Sequence, residues 1–277
     1  MQNVDTIEVP STARHEPMMW LNTDRVLYVG LAGAPSERTL GAYSIYMSLS
    51  KPHRIRIDDG VWEEAELSVV PPYVPHGIVA GERMFCNILI ESDSVDAAGL
   101  PAFVAHGCGA IHDVVALAAL QRALRAFQGS ATRQFPQTAD FDRAFFGEAL
   151  ATRRVDRRIG AVLARIKDDP NSPTSAQDCA EATHLSVSRF LHLFKAEAGT
   201  PFRSFRTWQR ARSVLYYVTQ DTNLANIALD VGYPDSTHFS HSIRQVFGLT
   251  PKSIFAGSRK LALYGRPAAA PQRYQFA

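Results

Sequence analysis

Between Ser175 and Pro251 one helical pattern occurs twice at a fixed offset, which restricts the fold more than any other feature of the chain. Phe190 returns as Phe239, His192 as His241, and Gly199-Thr200-Pro201 as Gly248-Leu249-Thr250-Pro251, so Phe, His and Gly each repeat after 49 positions. A chain that carries the same pattern twice is expected to build the same supersecondary unit twice.

In the first copy a short helix is expected over Ala176 to Ala182, broken by Thr183-His184-Leu185-Ser186, with Ser186 capping the next helix. Phe190, Leu193, Phe194 and Glu197 then fall at i, i+3, i+4 and i+7 and turn inward, leaving Ser188, Arg189, His192 and Lys195 on the opposite face. Gly199 supplies a left-handed helix end, and Thr200-Pro201 reads as an N-cap with proline at the first helical position. In the second copy Leu224, Ile227, Ala228 and Val231 form the apolar stripe, Gly232 stops it, and Asp235 caps a helix running to about Val246. Its inward residues are Phe239, Ile243, Val246 and Phe247, and Ser236, Thr237, Ser240, His241 and Arg244 face out. A helix, a tight turn and a second helix with a polar, net-positive face is the helix-turn-helix unit, whose second helix enters a major groove. The candidate DNA contacts are therefore Ser186, Ser188, Arg189, His192 and Lys195 in one unit and Ser236, Thr237, Ser240, His241 and Arg244 in the other. Pro201 to Val218, with Phe202, Phe205, Trp208, Ala211, Val214, Leu215 and Val218 on one side, reads as a connecting helix of roughly 27 Å.

The run from Leu185 to Lys195, Gly199-Thr200-Pro201, Ile227-Ala228, Gly232-Tyr233, Asp235, His238-Phe239-Ser240 and Phe247 to Pro251 resembles the DNA-binding domain of AraC/XylS-type transcription regulators, over about Val155 to Phe255. That resemblance implies two helix-turn-helix units on one long helix, binding promoter DNA beside an effector or dimerisation domain. In many members an arginine stands where His192 and His241 stand here, and an aromatic residue where Ile243 stands.

The charge supports a polyanion partner for the C-terminal half. Residues 153 to 260 hold 16 Lys/Arg against 9 Asp/Glu, whereas residues 1 to 152 hold 11 against 18, so a formal charge of +2 conceals a basic half and an acidic one. Cys86, Cys108 and Cys179 are odd in number and unpaired in spacing; they read as core residues of a reduced compartment. No basic-then-apolar leader opens the chain, and its longest helical apolar run, Val114 to Leu120, is short for a membrane span, so a cytoplasmic protein with no membrane partner is expected.

Residues 1 to about 23 read as an arm in which Met18-Met19-Trp20-Leu21 packs on the fold. Short β-rich runs follow at Arg25 to Leu31, Ala42 to Leu49, His53 to Ile57, Val61 to Val70 and Arg83 to Glu91, separated by Gly and Pro. They suggest a small antiparallel barrel or sandwich. Val69 to Gly77 resembles the proline-rich turn and histidine of cupin-type sensor domains, which commonly precede this DNA-binding domain. Only His53 precedes His76 in the strands, so no metal cage is expected. A barrel of this size holds one small ligand at its mouth, and Tyr46, His53, Arg54, Arg56, Trp62, Tyr73 and His76 are the candidates to line it. Arg54 and Arg56 share a strand face and suit an anionic effector.

From Ile111 to Phe127 the period becomes helical, with Ile111, Val114, Val115, Leu117, Ala118, Leu120, Leu124 and Phe127 on the apolar side. The resemblance implies a dimer contact here; the residues alone equally suit a cover for the sheet. Gln128 to Thr138 reads as a linker, Asp140 to Leu150 as a short helix, Arg153 to Asp168 as the first helix of the DNA-binding domain, and the stretch after Lys260 as a poorly ordered tail.

A search for a Gly-rich phosphate loop, paired-cysteine metal spacing, a nucleophile elbow or a helix-borne histidine pair at metal spacing finds none, so no catalytic residue, metal or cofactor is expected. The expected fold is α+β in two domains: a small antiparallel cupin-like β-barrel with helices over 1–130, a linker with a short helix over 131–152, an all-α domain with two helix-turn-helix units over 153–260, and a tail over 261–277. Its expected partners are promoter DNA, a small-molecule effector, a second copy in a homodimer, and RNA polymerase if it activates. Two rivals stand beside this reading: a regulator whose N-terminal domain only dimerises or binds a protein, and a barrel with enzymatic activity.

Overall fold

Alternating apolar residues between Met18 and Glu91 place one set of side chains on each face of a strand, and the computed structural model turns them into two packed sheets. It describes residues 15–33, 35–220, 223–258 and 260–265; most of the expected N-terminal arm, and the tail beyond Gly265, lie outside the described residues. The strands are β1 (Met18–Leu21), β2 (Arg25–Leu31), β3 (Ser36–Arg38), β4 (Ala42–Ser48), β5 (His53–Ile57), β6 (Glu63–Ala65), β7 (Leu67–Val70), β8 (His76–Val79), β9 (Met84–Glu91), β10 (Gly109–Ala110) and β11 (Ala262–Tyr264). Seven form one sheet in the order β10-β7-β4-β9-β2-β1-β11, and four form a second in the order β3-β8-β5-β6.

The expected small antiparallel barrel is corrected here, because each sheet ends in two edges and no pairing joins them among the described residues. The strand expected over Val61 to Val70 is two strands. Ala65 pairs with His53 in the small sheet while Leu67 pairs with Met47 in the large one, so Glu66 carries the chain across. Strands as short as β3 and β6 offer too few ladder bonds to continue a closed register. The tail supplies β11, which pairs parallel with β1 from Met18↔Ala262 to Trp20↔Tyr264; three residues without alternation gave no strand signal.

The helices are α1 (Ala102–Ala105), α2 (Val114–Gly129), α3 (Thr138–Phe146), α4 (Arg157–Asp168), α5 (Ala176–Ala182), α6 (Val187–Ala198), α7 (Phe202–Ser213), α8 (Leu224–Asp230), α9 (Ser236–Phe247) and α10 (Pro251–Gly257). Asp113 caps α2 by accepting from the Val115 and Ala116 N–H groups. Leu120, Leu124 and Phe127 cover the large sheet, but Val114 and Val115, expected on the apolar side, are 76% and 75% exposed. The short helix expected over Asp140 to Leu150 is α3, and it stops at left-handed Gly147. The segment expected to link the domains is held down: Arg25 donates to both oxygens of Asp142 (2.8 and 2.9 Å), and Phe135 and Phe141 pack on Trp20.

The connecting helix is shorter than expected. α7 has 12 residues, about 18 Å, and passes into a 3-10 turn at Val214–Tyr216. The run Val214-Leu215-Tyr216-Tyr217-Val218 is β-branched and aromatic, which weakens a helix, and its Val214, Tyr217 and Val218 turn into the core instead. At the other end Thr200 does not cap: Pro201 occupies the flanking position and no side chain caps the helix among the described residues. Thr250 does cap its helix, accepting from Ser253 N–H at 3.2 Å with Pro251 behind it.

Three buried clusters organise these elements. The outer face of the large sheet, with Trp20, Leu27, Val29, Ile45 and Ile88, packs against α2 and α3. α4, α5, α6 and the start of α7 enclose a core of their own, with Ile159, Ile166, Phe190, Phe194 and Phe205. The inner face of the large sheet, with Met19, Val26, Phe85 and Leu89, shares a core with Ile55 and Ile78 of the small sheet and with Trp208, Val214, Ile227, Phe239, Ile243 and Val246. The second helical unit thus completes the N-terminal core, and the first does not. Beside this core Glu91, buried at the end of β9, accepts hydrogen bonds from Trp208 Nε1 (2.8 Å) and Gln209 Nε2 (3.0 Å) and pairs with Arg212 Nε at 2.7 Å. Burial pushes the Glu91 carboxyl up against the pull of Arg212. Lys167 on α4 bridges Asp24 (2.9 Å) and Asp93 (2.6 Å). Removing one member of such a buried pair strands the other, which typically costs about 3 to 5 kcal/mol.

Candidate nucleic-acid interface and effector cavity

The two duplicated units close in the same way. α5 ends where Thr183 and left-handed His184 (φ 56°) turn the chain, and α8 ends at Val231 and left-handed Gly232 (φ 73°). Ser186 then caps α6 by accepting from Arg189 N–H, and Asp235 caps α9 by accepting from Thr237 and His238 N–H groups at 2.8 Å. Phe190 and Phe194 seat α6, and Phe239 and Ile243 seat α9 at the same offset. Both helices stop at a left-handed glycine, Gly199 and Gly248.

On α6 the structure places Ser188, Arg189, His192 and Lys195 together on the exposed face, with Ser186 at its cap. Leu191, which the periodicity did not single out, stands among them 39% exposed. On α9 it exposes Ser236, Thr237, His241 and Arg244, with Ser240 half-buried. His238 is also exposed; it pairs with the cap Asp235 at 2.8 Å, and no group of three metal-ligating side chains occurs among the described residues. Much of the basic charge on α7 is committed elsewhere. Arg206 donates to the Ser172 carbonyl, Arg210 lies over the Tyr233 ring, and Arg212 is buried with Glu91; Arg203 is exposed. On the reading helices Arg189, Lys195 and Arg244 meet solvent.

The residues proposed to line a barrel mouth fall into separate places. Tyr46, His53 and His76 are buried. His76 donates from Nδ1 to the Val74 carbonyl (2.9 Å), which leaves Nε2 to accept from the Tyr46 hydroxyl (2.7 Å). His53 bonds to Ser48 and Ser68 hydroxyls at 2.8 and 2.6 Å. Burial lowers each imidazole to about 4. Arg54 and Arg56 do share a face, but their guanidinium groups lie against Trp62 (5.7 and 5.1 Å), and Arg56 pairs with Glu37 on the outside of the small sheet. Tyr73 occupies a left-handed turn (φ 63°) and donates its N–H to the Leu40 carbonyl.

None of the seven lines the apolar cavity of about 160 Å³ between the inner face of the large sheet and the end of the second unit. Val26, Leu31, Phe85 and Leu89 wall one side, and Leu215, Phe247, Leu249 and Ile254 the other. Its polar lining consists of Arg38 and Asn87 from the strand side, Ser253 and Ser258 from the helical side, and the Tyr28 hydroxyl. Among the described residues Arg38, which is buried, makes no ion pair, and neither its Nε nor Asn87 Oδ1 has a hydrogen-bond partner. A lone arginine in a three-residue strand gives no periodic signal, so sequence reasoning missed it. Of the cysteines, Cys86 and Cys179 are core residues as expected, but Cys108 is exposed.

Residues 179–256 match the family model of a helix-turn-helix domain. Over 97 residues the chain is 27% identical to an uncharacterized HTH-type transcriptional regulator of Haemophilus influenzae, covering 35% of this chain and 33% of that protein. Over 113 residues it is 26% identical to the invasion protein InvF of Salmonella typhimurium, covering 39% and 50%. The chain thus spans a third to a half of the length of these curated relatives. An apo variant of ToxT from Vibrio cholerae shares the fold over 85% of this chain and 98% of its own, with a TM-score of 0.57 and 11% identity. Wild-type ToxT with a bound unsaturated fatty acid does so over 88% and 97%, with a TM-score of 0.51 and 11% identity. Over its helix-turn-helix residues the chain is thus similar to transcription regulators. No helix among the described residues is long and apolar enough to cross a membrane.

The two buried histidines give stability a defined pH dependence. Unfolded imidazoles take up protons below about 6.5, whereas His53 and His76 in the fold stay neutral down to about 4. Their contribution is therefore complete above pH 6.5 and lost as pH falls towards 4, at most roughly 3 kcal/mol apiece. Urea unfolding at pH 7.5 and 4.5 measures it: His53→Gln and His76→Gln should each shrink the difference, and an unchanged difference would contradict the assignment.

Proposed function

We propose that this chain, which carries the helix-turn-helix domain of AraC/XylS-type transcription regulators, binds promoter DNA through α6 and α9 and is controlled by an aliphatic acid held between its N-terminal sheet and its second reader. The observation that carries the DNA reading is the pair of equally capped helices, each seated by two buried apolar side chains and each exposing hydroxyl, imidazole and cationic groups. Lys195, Arg203 and Arg244 neutralise phosphates, a contribution that weakens as salt rises. Ser188, Arg189 and His192, with Ser236, Thr237, Ser240 and His241, reach base edges and backbone. RNA polymerase is the further partner if the chain activates.

The effector reading rests on the cavity. A mainly apolar chamber whose one charged lining side chain is a buried guanidinium suits a hydrocarbon chain ending in a carboxylate, which Arg38 would hold. The fatty acid bound by ToxT, a protein of this fold, supports the same class. The N-terminal unit is proposed to run through α3 to about Leu150, since α3 is fastened to β2 by Arg25 and Asp142. Exposed Val114 and Val115 on α2 make that helix the proposed homodimer contact. They also favour the rival in which the N-terminal unit only dimerises or meets a protein partner.

Two measurements separate these readings. Arg189→Ala should weaken binding to a duplex selected from a random pool by roughly 1 to 3 kcal/mol if Arg189 makes a bidentate base contact; an equal loss on random DNA would reduce it to a phosphate contact. Decanoate at a hundredfold excess over its Kd should raise the melting temperature by roughly 5 °C, and Arg38→Met should abolish the rise. No shift with acids of any chain length would favour the rival.

A further inference from the structure

The two reading helices end alike but are held differently. At Gly199 (φ 75°), an added Cβ would stand 3.2 Å from Arg153 Nη1, the tip of a flexible side chain. The Arg153 guanidinium also donates to the Ala196 carbonyl, so α6 is capped from within the helical domain. At Gly248 (φ 70°), an added Cβ would stand 2.4 Å from Ser36 Oγ and 2.7 Å from the Glu37 carbonyl oxygen, both on β3. Just past β3, Thr39 N–H donates to the Gln245 and Val246 carbonyls at 3.2 Å each. These lie among the last carbonyls of α9, which have no partner inside the helix. The N-terminal unit therefore caps the second reader, whereas the cap of the first comes from Arg153.

The strand that makes this contact also carries the cavity's guanidinium. Ser36 and Glu37 press on Gly248, Arg38 reaches the cavity, and Thr39 holds the end of α9, four consecutive residues with two destinations. We infer that β3 is the relay between the effector and the second reader: an anion drawn to Arg38 fixes the strand that aligns α9. This rests on the proposed effector for its ligand, and on the β3–α9 contact alone for the restraint. The contact lies at the C-terminal end of α9 and leaves Ser236, Thr237, His241 and Arg244 exposed, so it orients the reader without covering it. A reader already oriented loses less freedom when DNA arrives. The docked arrangement is thus the DNA-competent one, and an acid that favours it tightens DNA binding, with DNA tightening the acid by the same factor.

The duplication supplies its own control. Asparagine tolerates the left-handed conformation, so Gly248→Asn and Gly199→Asn both keep their helix ends, but only the first wedges β3 from α9. Full-length wild type and both variants are titrated with the duplex selected by the wild type, with and without decanoate. Without acid, Gly248→Asn should bind that duplex about fivefold more weakly or worse, with random DNA bound as before, while Gly199→Asn stays within about twofold of wild type. With decanoate, wild type and Gly199→Asn should tighten and Gly248→Asn should not, although it still binds the acid. Thr39→Pro, which removes the N–H without adding atoms to α9, should reproduce Gly248→Asn and replaces it if that variant fails to fold. Equal acid-free affinities for the wedge variants and Gly199→Asn overturn the restraint; a full decanoate response in Gly248→Asn or Thr39→Pro overturns the relay. Failure of decanoate to bind wild type removes the proposed effector, and the acid-free comparison still decides the restraint.

Discussion

The inner face of the large sheet must be covered, and beside Ile55 and Ile78 of the small sheet what covers it is half of the helix-turn-helix domain. Met19, Val26, Phe85 and Leu89 have no helix of the N-terminal segment over them; α2 and α3 occupy the other face. Trp208, Val214, Ile227, Phe239 and Ile243 take that place instead. Burying one such side chain stabilises by roughly 1.5 to 3 kcal/mol, so the second unit could not detach without exposing both its own core and the sheet's. The ionic seam reinforces the junction, with Glu91 facing Trp208, Gln209 and Arg212, and Asp24 and Asp93 facing Lys167. Two units that began as copies therefore have different attachments. The first has a core of its own and is tied to the strands through Lys167 on α4, whereas the second shares its core with the sheet.

That asymmetry gives the cavity its importance. It lies in the same junction, with walls from the sheet on one side and from the end of the second unit on the other. A ligand there touches both partners of a shared core, and so can shift the balance between their arrangements only through what it contacts differently in each. The buried Arg38 guanidinium, without a carboxylate partner among the described residues, is the one full charge among the cavity's lining side chains. Burying a charge in apolar surroundings is costly unless it is paired, which is a physical reason for an acid to bind there.

Local signals made the helical half legible. Ser186 and Asp235 cap the helices the sequence assigned to them, Gly199 and Gly248 end them, and Phe190 and Phe239 are buried at the expected offset. Each of these depends on residues within one or two turns. The strands between Arg25 and Glu91 were legible for the same reason, through their alternation. What the sequence concealed is non-local. Glu66 passes the chain between sheets inside what looks like one strand, Ala262 to Tyr264 becomes a sheet edge because β1 offers an unpaired side, and Val214 leaves the helix because a sheet 120 residues or more earlier in the chain needs covering. The cavity belongs to this class, for Arg38, Phe85 and Leu249 meet only once the two halves have packed. Tyr46, His53 and His76 suggested a pocket by their chemistry and proved to be buried, hydrogen-bonded residues of the sheets.

Native-state amide hydrogen exchange tests most directly whether the second reader belongs to the N-terminal body, since residues that open together share one free energy of opening. Protected amides of α9 should exchange with the same opening free energy and denaturant dependence as those of β2 and β9, while those of α6 follow a separate one. If α6 and α9 open together as one helical domain, independently of the strands, the shared core does not govern the molecule.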